Sequence, residues 1–308
     1  MLSLREYISH PKITAIVLLE HFGQWLPDSV YVRIMYRLRI GRRLHLRNPK
    51  TFNEKLQWLK LYNRRPEYTM MVDKYAVKDY VAGLIGKEYI IPTLGVWERP
   101  EDIDFDSLPN QFVLKTTHGG GSTGVIICKD KTSFNRADAI EKLKRSMKQD
   151  IYKYQKEWPY KNVHRRIIAE EFIAPSNHTN DLNDYKFYCF GGKPEFMLLI
   201  SEREIGGDAK CDYYDMNFQH LPFSWAYPHS ESPQTTPPPD FEKMKELAAI
   251  ISKTLPHARI DLYNVNGHIY FGEITLYHGG GFCKFEPWEW DYKFGELIEL
   301  PKEKSLNK

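Results

Sequence analysis

The stretch Phe112-Val113-Leu114-Lys115-Thr116-Thr117-His118-Gly119-Gly120-Gly121-Ser122-Thr123-Gly124-Val125-Ile126-Ile127-Cys128 decides the reading of this chain. Two short β-type runs, 112–115 and 125–128, flank a glycine-rich loop. Glycines let backbone N–H groups approach an anion closely, and the hydroxyls of Ser122 and Thr123 add donors. Lys115, on the incoming strand, adds a fixed positive charge suited to phosphate. The lysine precedes the loop and no helix follows directly, so the pattern is not GxxxxGK[ST]. Taken alone, the loop also reads as a structural glycine-rich hairpin with His118 as an internal hydrogen-bonder.

Around this stretch the composition is that of a soluble globular protein. The 308 residues are 42% hydrophobic and 27% charged, with a formal net charge of +3. Such a length supports a sizeable core divided into two lobes. Aromatic residues (16 Phe, 7 Trp, 20 Tyr) spread along the chain exclude disorder as its main state. The apolar run 13–19 is too short to span a bilayer, and no small-residue cleavage site follows it. Cys128, Cys189, Cys211 and Cys283 lie far apart without a CxxC pair, which argues against zinc or disulfide frameworks and for a reduced, cytoplasmic setting.

Outward towards the N-terminus, residues 32–50 hold six arginines, one lysine and no acid. Val30, Ile34, Met35 and Leu38, then Leu44 and Leu46, suggest an amphipathic helix with a basic flank, capped by Asp28 or Ser29. The flank reads either as a solvated face or as a patch for an anionic substrate or an anionic membrane surface. No motif that reads nucleic acid accompanies it. Thr51 followed by Glu54 predicts a capping box opening a second helix. A third helix is expected over 68–84, a short strand at 90–92 and an acidic loop at 100–110. Beyond the glycine loop a helix is expected over 136–149, strands over 167–173, 185–190 and 194–200, and a helix over 241–254. Residues 228–240, with five prolines, read as a loop. The fold class is α+β with antiparallel pairs rather than alternating βαβ units.

Three further constellations carry chemistry. Arg259-Ile260-Asp261-Leu262-Tyr263 and Tyr270-Phe271-Gly272-Glu273-Ile274-Thr275 surround Asn266-Gly267 as a hairpin. A two-residue turn would oppose Asp261 to Gly272 and send Glu273 to the far face; a three-residue loop would oppose Arg259 to Glu273 and put Asp261 diagonally beside it. Converging carboxylates with oxygen neighbours suit Mg²⁺, whereas a surface pair salt-bridged to arginine is the plainer alternative. In Ile167-Ile168-Ala169-Glu170-Glu171-Phe172-Ile173 an apolar strand ends in two acids. In Asp184-Tyr185-Lys186-Phe187-Tyr188 a lysine interrupts an aromatic strand, so it needs a counter-charge, from a phosphate or from Asp184 or Glu171.

In order and residue type these segments resemble the ATP-grasp superfamily. Lys74 of Asp73-Lys74 resembles its first nucleotide-binding lysine. Lys115 resembles the second, with Gly119, Gly120, Gly121, Ser122 and Thr123 as the phosphate lid. The likeness implies an adenine hinge in which Glu170 gives a side-chain contact and Glu171 and Ile173 give backbone groups about Phe172. It implies Asp184 near the ribose, Lys186 on phosphate, Arg259 with Lys115 as catalytic cations, and Asp261 and Glu273 as metal ligands. Thr275 stands where the third ligand is usually Asn, and could reach the ion through its hydroxyl or a water. Pro27-Asp28, Gly41-Arg42-Arg43-Leu44, Asn48-Pro49-Lys50-Thr51-Phe52-Asn53-Glu54-Lys55 and Gly272-Glu273-Ile274-Thr275 are similar to the narrower TupA-like group, associated with cell-surface polysaccharide assembly.

The resemblance implies two α+β lobes with largely antiparallel sheets sandwiching ATP. It divides the chain into a helical extension with a basic patch (1–65), a small α/β segment (66–110), an N-lobe with the glycine lid (111–175) and a C-lobe with the metal site (176–308). The implied reaction is ATP- and Mg²⁺-dependent carboxylate–amine ligation through an acylphosphate. An acidic sugar or polysaccharide would be the carboxylate and an amino acid or other amine the acceptor, with glycosyl transfer or glycan phosphorylation as the rivals. Trp288 and Trp290 are read either as sugar-stacking or as packing residues. The expected location is cytoplasmic, with peripheral contact to an anionic membrane as the alternative use of the basic patch, and no nucleic-acid partner.

Overall fold

The computed structural model describes residues 10–121, 123–173, 183–201, 210–225 and 229–302. The N-terminal part is helical: α1 (Pro11–Phe22), α2 (Asp28–Ile40), α3 (Phe52–Tyr62), α4 (Glu67–Val72) and α5 (Ala76–Ile85). Strands β1 (Thr93–Trp97), β2 (Phe112–Thr116) and β3 (Val125–Cys128) follow, then α6 (Arg136–Met147), α7 (Ile151–Gln155) and β4 (Ile167–Glu171). The C-terminal part holds β5 (Asp184–Phe190), β6 (Lys193–Ser201), β7 (Lys210–Asp215), α8 (Phe241–Ser252), β8 (His257–Val265), β9 (His268–Thr275) and α9 (Glu289–Leu297). The strands form two sheets, ordered β1-β4-β2-β3 and β7-β6-β5-β8-β9. All named strand pairs are antiparallel, as the α+β reading anticipates.

Each sheet has its own core. In β2, Phe112 and Leu114 turn inward to meet Leu143 of α6, Ile167, Ala169 and Phe105, so Val113 and Lys115 are left on the other face. β5, central in the second sheet, is buried along its whole length. The larger core joins this sheet to α2, α3, α4, α5, α8 and α9. The helices at the N-terminus are therefore packed on the C-terminal sheet.

Several sequence expectations shift for identifiable reasons. The Thr51–Glu54 capping box forms as read, with Glu54 N–H donating to Thr51 Oγ1 at 3.2 Å and Thr51 N–H to Glu54 Oε2 at 3.3 Å. In α2 the buried face is Tyr31, Val32, Met35, Tyr36 and Ile40, while Val30 and Ile34 are exposed; the tyrosines, not Val30 or Ile34, complete the stripe. Pro27, rather than Asp28 or Ser29, stands at the N-cap; Asp28 is the first helical residue, and its carboxylate pairs with Arg64 at 2.6 Å. Leu44 and Leu46 are buried beyond the helix end at Gly41. The expected helix over 68–84 is broken at 73–75, where Asp73 Oδ1 accepts from the N–H groups of Tyr75 and Ala76 and starts α5 anew. The strand expected at 90–92 lies at Thr93–Trp97, and β7 had no counterpart in the sequence reading. No helix among the described residues is long and apolar enough to cross a membrane.

Candidate functional site

On the first sheet, Lys115 of β2 stands opposite Ile168 of β4, and Glu170 opposite Val113, so Lys115 and Glu170 share the face opposite that sheet's core. Lys115 Nζ lies 2.5 Å from Glu170 Oε2, and Lys78 Nζ of α5 lies 2.5 Å from Oε1. Burial alone would raise the Glu170 carboxyl, but Lys115 and Lys78 outweigh it and hold it below the ordinary carboxylate range. Burial lowers the Lys78 ammonium, which also donates to the Ile91 carbonyl at 2.7 Å. Lys78 was not anticipated; nothing distinguishes it in sequence from other helix-surface lysines. The glycine loop is seated on α6: a Cβ on Gly124 would meet Thr116 Oγ1 at 2.2 Å and Ser146 Oγ at 2.5 Å. A side chain there would have to displace the hydrogen-bonded hydroxyls of Thr116 and Ser146.

On the second sheet the charged residues come together across adjacent strands. Lys186 of β5 is in register with Asp261 of β8, which is in register with Glu273 of β9, and Arg259 with Thr275. This corrects both hairpin expectations. Asn266 and Gly267 form a two-residue turn with φ of 55° and 77°, closing on Val265 and His268. A bulge between Asp261 and Leu262 and their partners then absorbs Gly272 and brings Glu273 directly opposite Asp261.

Arg259 joins the two acids. Its Nε and Nη2 donate to Asp261 Oδ1 and Oδ2 at 2.6 and 2.8 Å, and Nη2 also donates to Glu273 Oε1 at 2.7 Å. Lys186 Nζ contacts Asp261 Oδ2 and lies 2.5 Å from Asp184 Oδ2. Thr275 Oγ1 donates to Glu273 Oε1 at 3.0 Å. Burial would raise Glu273, yet Lys74, Arg259 and Lys186 dominate and its carboxyl sits far below the usual range. The fourth Arg259 contact is His278, whose Nδ1 accepts from Nη1 at 2.8 Å. Burial and the neighbouring Arg259 keep that imidazole neutral. His278 was missed because its histidine–glycine segment carries no pattern of its own.

Lys74 links the two sheets: its ammonium contacts the Gly119 carbonyl and lies 3.6 Å from Glu273 Oε2. Its backbone N–H is held by the Thr117 carbonyl at 3.0 Å, and the adjoining Asp73 is held by Arg166 at 2.8 Å. Behind the cluster, Glu157 is pushed up to about 7 by burial and Lys60 down to about 7 for the same reason. The Lys60 ammonium donates to the carbonyls of Gln155 and Gly280 at 2.8 and 2.7 Å.

The structure thus gathers Lys74, Asp184, Lys186, Arg259, Asp261, Glu273 and Thr275 in one constellation and pairs Lys115 with Glu170 in another. Gly119 is buried beside Lys74, Gly120 is half-buried, and Gly121 and Thr123 are exposed. Ser122 lies outside the described residues. Glu171 is exposed, with its N–H on the Pro92 carbonyl at 3.1 Å, and Phe172 and Ile173 are half-buried. Opposed carboxylates from neighbouring strands with a hydroxyl beside them form an all-oxygen donor set, which fits a hard divalent cation. The surrounding cations fit a polyphosphate. Elsewhere, Trp290 packs on Phe223 at 4.9 Å, whereas Trp288 is 46% exposed and carries the Arg42 guanidinium 4.2 Å over its ring.

Lys74 thus sets the glycine loop of the first sheet beside the carboxylate pair and cationic strands of the second, in an α+β protein with two antiparallel sheets. The chain belongs to the TupA-like ATPgrasp family, whose pattern it matches over residues 54–299. No curated protein matches the sequence. Among solved structures it is similar to D-alanine–D-alanine ligase from Bacillus anthracis, at 17% identity and a TM-score of 0.41, covering 67% of this chain and 57% of that one. It is also similar to the Helicobacter pylori D-alanine–D-alanine ligase, at 16% identity and a TM-score of 0.43, covering 81% of this chain and 69% of that one. The ATP-grasp ligase PsnB bound to a minimal precursor gives 17% identity and a TM-score of 0.39, covering 72% of this chain and 59% of that one. The chain therefore spans less than two thirds of the B. anthracis enzyme and of PsnB.

Proposed function

We propose that this chain is an ATP-dependent carboxylate–amine ligase that amidates an acidic sugar of a cell-surface polysaccharide with an amino acid or another amine. The observation that carries the reading is the convergence of Lys74, Lys186 and Arg259 on the opposed pair Asp261 and Glu273. A carboxylate is a poor electrophile until its oxygen leaves as phosphate. In the first step a substrate carboxylate oxygen attacks the γ-phosphorus, the bond to the β-phosphate oxygen breaks, and ADP departs. In the second, the amine nitrogen attacks the acyl carbon, phosphate leaves, and the nitrogen loses a proton.

Asp261 and Glu273, with Thr275 beside them, would hold Mg²⁺, which supplies positive charge to the phosphate oxygens. Lys74, Lys115 and Lys186 would neutralise the phosphates, the backbone of Gly119, Gly120 and Gly121 with Ser122 and Thr123 would cover them, and Arg259 would stabilise the charge that develops during transfer. Glu170 and the backbone about Glu171, Phe172 and Ile173 would receive the adenine, with Asp184 towards the ribose. Each preorganised donor of this kind is worth about 10²–10³ in rate. The acidic-sugar class rests on the TupA-like membership, supported by Arg42 stacked on the exposed Trp288, a platform suited to an anionic ring.

The test is a screen for ADP release over carboxylated sugars paired with amines. The proposal expects ADP and phosphate in equal amounts, dependent on both partners. Stoichiometric ADP without free phosphate, with a phosphorylated sugar, would make the chain a kinase. Nucleoside diphosphate from a sugar nucleotide, with ATP untouched, would make it a glycosyltransferase.

A further inference from the structure

Outside this site, at the β7 end of the second sheet, three side chains meet. Asp212 on β7 is 1% exposed, and its Oδ1 lies 3.2 Å from His220 Nε2 and 3.2 Å from His229 Nδ1. The Ser230 N–H approaches the same oxygen at 3.3 Å. Two imidazole nitrogens and a backbone N–H therefore converge on one buried carboxylate oxygen, and the tautomer of each ring decides whether its nitrogen donates there or offers a lone pair. One ligand atom from each of the three side chains falls within 4.8 Å of the other two. Bond lengths of about 2.0–2.1 Å at a tetrahedral zinc ion imply ligand atoms roughly 3.3 Å apart. Two of the three edges already have that length.

We propose that Asp212, His220 and His229 form a binding site for a divalent transition-metal ion of the zinc type. Two imidazoles and one carboxylate favour such an ion over Mg²⁺, which prefers an all-oxygen set like Asp261 and Glu273. Tyr214 packs edge-on against the His220 ring, with centroids 5.5 Å apart, and Tyr213 does the same to His229 at 6.4 Å, which fixes the ring planes. The histidine side chains remain 35% and 31% exposed, which leaves water access to a fourth position. Asp212 registers with Leu199, one residue along from Leu198, which registers with Lys186. Successive strand residues face opposite ways, so the site lies on the face away from Lys186 and Asp261. The backbone about 220 already pairs with β7, through the Asp215 N–H on the Gln219 carbonyl at 2.9 Å and the Leu221 N–H on the Tyr213 carbonyl at 2.7 Å, so the role of the ion is to fasten the chain at 229 to that paired edge.

The site is tested on the full chain without a histidine tag, stripped of metal and returned to buffer containing millimolar Mg²⁺. ZnCl₂ is titrated by calorimetry, and Co²⁺ substitution is read by visible absorption. One tight equivalent of zinc and cobalt bands of tetrahedral intensity are expected in the wild type. His220→Gln with His229→Gln should weaken zinc binding at least tenfold and remove the bands, while Asp261→Asn should leave both unchanged. If the double variant does not fold by circular dichroism, His229→Gln alone carries the same expectation. Absence of a tight equivalent, equal binding by the histidine variants, or loss of binding in Asp261→Asn would each overturn the assignment. No arm uses ATP, so the result stands apart from the ligase reading.

Discussion

Glu170 shows how one residue separates architecture from chemistry. It is buried and shared by Lys78 and Lys115 at 2.5 Å each. Lys115→Ala leaves Lys78 to neutralise it, so the melting temperature should hold nearly constant while turnover falls by about 10²–10³. Glu170→Ala strands two lysines and should cost about 3–5 kcal/mol of stability in urea titration. His257 reports on the core instead. Its Nδ1 bonds the Cys189 carbonyl at 3.0 Å and Phe52 packs edge-on against its ring, and burial lowers its pKa from 6.5 to about 3. The unfolded chain takes up that proton near pH 6.5 and the folded chain does not. Stability attached to this group is therefore complete above about pH 6.5 and is lost as pH falls, by up to about 1.4 kcal/mol per pH unit. The stability difference between wild type and His257→Phe should carry that slope between pH 6 and 4; a flat difference would contradict it.

At the level of elements, the β8–β9 hairpin places both acids, and it marks where sequence reading stopped. Asn266-Gly267 names the turn, because only residues tolerant of positive φ fit there. The bulge at Gly272 has no such signature, yet it decides which face Glu273 takes. A Cβ on Gly272 would approach the Asp261 carbonyl oxygen and the Tyr263 ring at 3.1 Å each. Gly272→Val should therefore strain the bulge by about 1–3 kcal/mol and weaken Mg-dependent ATP binding about tenfold or more, measured by calorimetry. The strand lysines, the capping box and the acidic strands were legible because period and residue type are local. Lys78, His278 and Glu157 were not, since only tertiary contact brings them to the site. The break before α5 was hidden by apolar periodicity that runs through it, and the Asp73 cap shows only once the backbone turns.

Across the whole molecule, the N-terminal helices and the C-terminal sheet share a core. Tyr31, Val32, Met35, Tyr36 and Ile40 are buried in it. At roughly 1.5–3 kcal/mol per buried side chain, their loss rivals a net stability of about 5–15 kcal/mol. A chain trimmed to begin at residue 54, where the family match starts, should lose its cooperative thermal transition; a retained sharp transition would show that the sheets fold unaided. The proposed ligation draws on both sheets, linked through Lys74. It is tested most directly by labelling the carboxylate oxygens of the acidic sugar that drives ADP release with heavy oxygen, and analysing the phosphate set free. One labelled oxygen is expected in that phosphate, together with a hydroxamate when hydroxylamine replaces the amine. Unlabelled phosphate, with the label wholly retained in the sugar product, would contradict it.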